Sequence, residues 1–219
     1  MTSWIQANNL TSIRQNRTLF AQLDFSISAK DLIQIKGVNG AGKSTLMRYL
    51  AGVGQAVEGD LKISEAFALY DGQIDRAKVL YLGHLPAIST RLTVLENLRF
   101  LAQKSGLPYD DASLFAALKH VDLIKFLDQS ALALSAGQKR RIGLARLYLE
   151  QRNIKLWLLD EPFTALDLQG VAKLELRIDE FTKQGGAVVL ITHHQFEHPD
   201  LKTIMLGHQS QETMYVDDI

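Results

Sequence analysis

Cysteine is absent from this 219-residue chain, which removes disulfides, thiolate zinc sites and cysteine nucleophiles at once and suits a reducing compartment. Charge of one sign is missing too. Lys and Arg number 24 and Asp and Glu number 24, so the chain carries no global electrostatic footprint for nucleic acid, and none is expected as a partner. Long hydrophobic runs are missing as well: the purest, residues 156–159 and 187–191, are about a quarter of the roughly 20 residues that span a bilayer. The N-terminal MTSWIQANNLTSIRQNRTLF holds neither an apolar signal region nor a small-residue cleavage site. Only 4 prolines occur, and no stretch reads as a linker rich in Gly, Ser or Pro, a low-complexity tract or an internal repeat. These absences predict a soluble chain that reaches a membrane only by docking onto a protein already there.

What is present is ordinary globular material, 47% apolar and 22% charged, in a length that allows one domain or one domain with a smaller lobe. Short runs with polar breaks predict strands at residues 4–10, 18–27 and 32–36, and a helical pattern follows over 45–50. A hairpin is expected over residues 60–70 and a strand over 78–82. Residues 92–133 carry only helical spacing. Beyond them come a helix over 138–150, a buried strand over 154–159, a helix over 169–181 and a second buried strand over 187–191. Continuous apolar runs alternating with helices indicate an α/β fold around a parallel sheet covered on both faces.

The chemistry begins at Gly37-Val-Asn39-Gly40-Ala41-Gly42-Lys43-Ser44-Thr45, which matches the phosphate-loop spacing G-x-x-x-x-G-K-[ST] between a strand and a helix. Glycines let backbone N–H groups converge on phosphate oxygens, and the helix N-terminus adds its positive end. Lys43 then bridges the terminal phosphates and the Ser44 hydroxyl ligates Mg²⁺. The competing reading is a glycine-rich turn, which the flanking elements disfavour. Residues 155–159 run into adjacent carboxylates, Asp160 and Glu161. The first can hold hydrated Mg²⁺ at the strand end, and the second can orient water toward the γ-phosphate. Asp-Glu-Pro is also a common solvated turn, a reading that loses weight beside a phosphate loop.

Between these motifs lies Leu134-Ser135-Ala136-Gly137-Gln138, followed by Lys139-Arg140-Arg141 and Arg146. Here the chain resembles the ATP-binding-cassette ATPases over residues 19–194, in the order phosphate loop, helical insert, signature, Asp-Glu pair, Ala165-Leu166-Asp167 and His193. The resemblance implies a P-loop NTPase domain covering residues 1–219, with a mainly parallel central sheet, an N-terminal antiparallel β subdomain and a helical subdomain inserted at about 86–134. It implies ATP and Mg²⁺ as ligands, with Ser44 and Asp160 on the metal and Glu161, Lys43, His193 and His84 as the reacting groups. It also implies a head-to-tail pair of copies, in which Ser135, Gly137, Gln138 and Asp167 help complete the nucleotide site formed by residues 37–45. A helix N-terminus at Ser135 can cap a γ-phosphate with its hydroxyl and the Gly137 N–H. The basic triplet 139–141 reads as a solvated helix face.

The resemblance narrows through Tyr81-Leu-Gly-His84-Leu-Pro86, residues 92–100 and Asp160-Glu-Pro-Phe-Thr-Ala-Leu-Asp-Leu-Gln-Gly-Val171. These are similar to the ATP-binding subunits of bacterial haem exporters of cytochrome c maturation. That similarity implies membrane-spanning exporter partners, a peripheral place on the cytoplasmic face of the inner membrane, and ATP-driven release of a haem-loaded chaperone. A partner groove is expected near residues 84–100. The other export cargo to weigh is a lipid, drug or peptide. A ribosome or DNA clamp is disfavoured by the single set of motifs.

Three departures from the cassette pattern stand out. His84 occupies the place of the usual glutamine, Ala136 replaces one of the two signature glycines, and Ile13 or Arg14 stands near the place of the adenine-stacking aromatic. His194 and His198 have i, i+4 spacing without further ligands nearby, and His120 and His208 read as ordinary surface.

Overall fold

The computed structural model describes residues 3–54, 56 and 58–207; His208 lies outside them. Every residue of β6 (Leu156–Asp160) and β7 (Ala187–Ile191) is buried. Alternation explains this, because successive side chains of a strand point to opposite faces and here both faces are covered. Leu156, Leu158, Val189 and Ile191 join one core cluster, while Trp157, Leu159, Val188 and Leu190 join the other. These strands sit at the centre of a five-stranded, wholly parallel sheet. Its order is β5 (Val79–Leu82), β6, β7, β3 (Leu32–Gly37) and β8 (Leu201–Leu206).

One face packs on α1 (Lys43–Leu50) and on an antiparallel sheet of order β2 (Arg17–Ile27), β1 (Ile5–Arg14) and β4 (Glu58–Ile63). The other face is covered by α2 (Val94–Lys104), α3 (Asp111–His120), α4 (Ala136–Ala145) and α5 (Leu168–Lys183). Because the strands are parallel, the segments leaving β3, β5, β6 and β7 emerge along one edge. Ligands of open α/β sheets bind at that edge, and the phosphate loop, Gly83-His84, Asp160-Glu161 and His193 all lie on it.

The helices begin where side chains satisfy their first N–H groups. Thr93 and Glu96 form a reciprocal capping box at α2, Asp110 and Ser113 another at α3, and Asp167 caps α5 through the Gly170 N–H at 2.8 Å. Asn97, fully buried on α2, accepts from the Ser89 N–H at 2.7 Å and donates to the carbonyls of Ser89, Leu92 and Thr93. It thereby fixes the approach to α2 directly downstream of His84. Among the described residues no helix is long and apolar enough to cross a membrane.

Two expectations need correction, and one strand has no counterpart in the sequence reading. Residues 60–70 do not form a hairpin: β4 ends at Ile63 and pairs with β1, far away in sequence, rather than with the stretch that follows. The α-helix expected over 138–150 starts two residues earlier and ends at Ala145, continuing as one 3₁₀ turn over Arg146–Tyr148. The strand β8 went unpredicted. It is an edge strand in which only Ile204 and Leu206 are buried, so its apolar signal is weak.

Candidate active site

The phosphate loop leaves β3 and enters α1 with Gly42 at the cap position, φ 93°, with no side-chain cap and no acidic residue in the first turn. The first N–H groups of this helix therefore face outward with the positive end of the dipole and fit an anionic group. Two glycines are required by close approach. A Cβ on Gly37 would stand 2.5 Å from the Leu206 carbonyl oxygen, and one on Gly42 would stand 2.9 Å from Leu19 and Phe20. Asn39 and Gly40 form the turn between them, and the Ala41 N–H donates to the Val38 carbonyl at 3.1 Å. Lys43 folds back across the loop, its Nζ donating to the carbonyls of Gly37 at 2.7 Å and Val38 at 3.1 Å. An ammonium has three donors, so one is left for a ligand. Thr45 follows in the first turn of α1.

The two carboxylates behind β6 diverge. Asp160 is buried, and its Oδ2 accepts from the Ser44 hydroxyl at 3.1 Å. A hydroxyl and a carboxylate oxygen converging in this way are hard oxygen donors, which is what Mg²⁺ takes. Glu161 turns the other way because its backbone is left-handed, φ 52°, a conformation few non-glycine residues adopt. Its N–H still donates to the Ile191 carbonyl at 2.8 Å, extending the β6–β7 pairing by one residue. Its carboxylate, 16% exposed, accepts from the His193 N–H at 3.3 Å and stands 3.6 Å from His193 Nε2. The His193 ring is 75% exposed and free to meet a ligand. A cavity of about 440 Å³, bordered by Gly37, Lys43 and His193 to Glu197, opens beside the loop.

A family model described as ABC transporter matches residues 20–164. This chain belongs to the ABC transporter family. Its relatives include the cytochrome c biogenesis ATP-binding export protein CcmA of Vibrio cholerae serotype O1, 42% identical over 93% of this chain and 98% of that one. The protein of the same name from Aliivibrio fischeri is 44% identical over 93% of this chain and 99% of its own length. Among solved structures, a putative ABC transporter ATP-binding protein from Pyrococcus furiosus superposes with a TM-score of 0.74 at 21% identity, covering 92% of this chain and 96% of that one. A dimeric post-hydrolysis ATP-binding cassette bound to ADP and Pi gives 0.71 at 20% identity, covering 87% and 88%. These two show the fold, that of the ABC ATPase domain. As a member of the family the chain binds ATP and couples its hydrolysis to transport.

The other cassette motifs stand apart from this cluster. Ser135 caps α4: its hydroxyl accepts from the Gln138 N–H at 3.2 Å, while the Gln138 side chain accepts from the Ser135 N–H at 2.9 Å. The Ser135 hydroxyl keeps its own proton for a further acceptor. Gly137 lies against the loop before α5, where a Cβ would stand 3.2 Å from Ala165, and Asp167 caps α5 from that loop. His84 is exposed and is held through its carbonyl, not its ring. Ile13 and Arg14 end β1 and pair with Thr18 and Arg17 of the hairpin, whose next residues, Leu19 and Phe20, pack on Gly42.

The basic triplet is not a solvated face. Arg140 sends its guanidinium inward: Nη1 donates to the carbonyls of Gly83 at 3.2 Å and His84 at 2.6 Å, and Nη2 donates to those of Asp160 and, at 2.8 Å, Glu161. Burial lowers its pKa, opposed by the negative charges of Asp160 and Glu161. Arg141 donates to the Val121 carbonyl at 3.3 Å. Arg146, buried and donating to Ser105 Oγ at 3.0 Å, is pulled down to about 10 by desolvation. A basic triplet carries no mark in sequence that separates inward from outward guanidinium groups.

The remaining histidines find separate partners. His194 pairs with Glu175 at 3.1 Å and His198 with Asp179 at 3.5 Å, both acids on α5. The Asp179 carboxyl is held below its usual range first by Lys183 and then by His198. His120, exposed, stacks on Tyr148 with ring centroids 4.6 Å apart.

Proposed function

We propose that this chain is the ATP-hydrolysing subunit of the haem exporter of cytochrome c biogenesis, and that its turnover promotes release of the haem-loaded chaperone. The observation that carries the hydrolytic part is the divergence of Asp160 toward Ser44 and of Glu161 toward His193 at one sheet edge. The relatives named as cytochrome c biogenesis export proteins support a role in that process over export of a lipid, drug or peptide.

In this reading the residue 37–45 backbone and Lys43 hold the β- and γ-phosphates of substrate ATP. Ser44 and Asp160 would hold Mg²⁺, which would supply positive charge beside those phosphates. Glu161 orients the attacking water and accepts its proton as the new P–O bond forms, and His193 donates to the γ-phosphate. Ser135 and Gly137 of a second copy, packed head to tail, present a helix N-terminus to the same phosphate, with Gln138 holding that N-terminus and Asp167 flanking the junction. His84, in place of a glutamine, would contact the attacking water and the metal. The whole chain acts as one cassette domain, with residues 86–134 as its helical lobe.

The membrane-spanning partners, on the cytoplasmic face of the inner membrane, meet the surface beside His84. A cleft of about 850 Å³ lies there, bordered by Arg76, Tyr81, Leu85, Pro86, Leu101 and Lys104, and Leu85 is 79% exposed at its rim. Two residues of the expected groove also make local bonds, Glu96 with Thr93 and Arg99 with Asp111 at 2.7 Å.

Deleting the gene is expected to abolish c-type cytochromes, measured by haem staining of membrane and periplasmic fractions. The wild-type gene should restore them and Lys43→Ala should not. Normal c-type cytochromes in the deletion strain, with loss of some other export, would overturn the reading.

A further inference from the structure

We propose that Arg140 is a positioning residue that ties the loop behind β5 to the turn behind β6, so that the placement of His84 is transmitted to the carboxylate of Glu161. The proposal rests on the reading of Glu161 as the water-orienting group.

The geometry comes from a single planar group. Arg140 lies on α4, the helix that Ser135 caps, and its guanidinium inserts between the two segments leaving β5 and β6. One terminal nitrogen holds the carbonyls of Gly83 and His84, and the other holds those of Asp160 and Glu161. All these acceptors are main-chain oxygens, so the contact fixes backbone position and is indifferent to the side chains that follow. A guanidinium presents its donors in a rigid fork, and an ammonium, with one nitrogen, cannot span both segments. The fork is held even though Arg140 Nε is left buried without a partner.

What the fork holds is a costly piece of backbone. Glu161 is left-handed, a conformation that a non-glycine residue keeps when its surroundings hold it there. Its N–H is pinned by the Ile191 carbonyl and its carbonyl by Arg140. Without Arg140 the carbonyl end is released, the residue can relax toward negative φ, and the carboxylate swings off the His193 side of the edge. On the other side, the segment after Leu82 has left the sheet, and His84 and Leu85 are exposed beside the partner cleft. Arg140 is therefore the link between a surface a partner can move and the group that meets water.

The test uses the full chain. Arg140→Lys keeps the charge and most of the stem, and is expected to lower kcat for ATP hydrolysis by about 10- to 100-fold, since sub-ångström misplacement of a reacting group has effects of that order. KM and the ATP dissociation constant should stay within about threefold, as expected when only transition-state interactions are lost. Adding guanidinium at millimolar concentration to Arg140→Ala should restore part of kcat. In the Glu161→Gln background, Arg140→Lys should cause no further loss, because the two act through one carboxylate. A parallel loss of ATP affinity and thermal stability, with additive kinetics in the double variant, would make Arg140 a general structural residue and overturn the proposal. Wild-type kcat in Arg140→Lys would do the same while Glu161→Gln stays inactive. Full turnover in Glu161→Gln itself would instead remove the hydrolytic reading beneath it. Should Arg140→Ala fail to fold, Arg140→Lys and the double variant carry the test.

Discussion

Replacing Glu161 by glutamine is expected to cut steady-state ATP hydrolysis by about 10²–10⁴-fold, the usual contribution of a general base. The amide keeps the size of the carboxylate and can still accept from the His193 N–H, which lies 3.3 Å from Oε2. It loses the negative charge that draws a proton from water. Binding should be untouched, because Lys43, Ser44 and the free N–H groups of α1 are independent of the Glu161 side chain. ATP then binds and is not consumed, so pairs of chains bridged by ATP should accumulate. Size-exclusion chromatography with and without ATP reads this directly. Wild-type turnover, or no shift toward dimer, contradicts the assignment.

The second large effect concerns completion of the site by another copy. Ser135→Arg should abolish hydrolysis while leaving ATP binding to the isolated chain unchanged, because Ser135 bonds to Gln138 of its own helix and not to the phosphate loop. Lys43→Ala should abolish hydrolysis by removing the ammonium held across the loop. Each parent homodimer is then dead in both sites. A mixed dimer concentrates both lesions in one site and leaves the other intact, so mixing the inactive variants should restore measurable turnover. Activity that stays at the level of the parents would mean either that the sites fire only together or that Ser135 serves its own chain.

The parts of the site legible in sequence are those with a local cause. The phosphate loop shows because the close approaches at Gly37 and Gly42 tolerate no Cβ, so glycine spacing is imposed by sterics. The strands β6 and β7 show because burial on both faces makes every position apolar. Ser135 is readable as a helix start, and it caps α4. What sequence hid has a distant cause. The partner of β4 is β1, so the apolar stretch after it looked like a hairpin arm. Arg140 bonds to carbonyls, and a carbonyl is the same in every residue, so nothing in the composition of residues 83–84 or 160–161 announces a guanidinium. His84 aligned by pattern with a glutamine, yet the structure holds it through its main chain.

Hydrolysis at this edge is proposed to drive release of a haem-loaded chaperone from the membrane. The most direct measurement takes inner-membrane vesicles of the deletion strain, rebuilt with the purified chain, and follows haem-bound chaperone in the supernatant after ATP is added. Release is expected with wild-type chain and ATP, and retention with Glu161→Gln or with a non-hydrolysable ATP analogue. Release that proceeds equally well with Glu161→Gln, or without nucleotide, would contradict it.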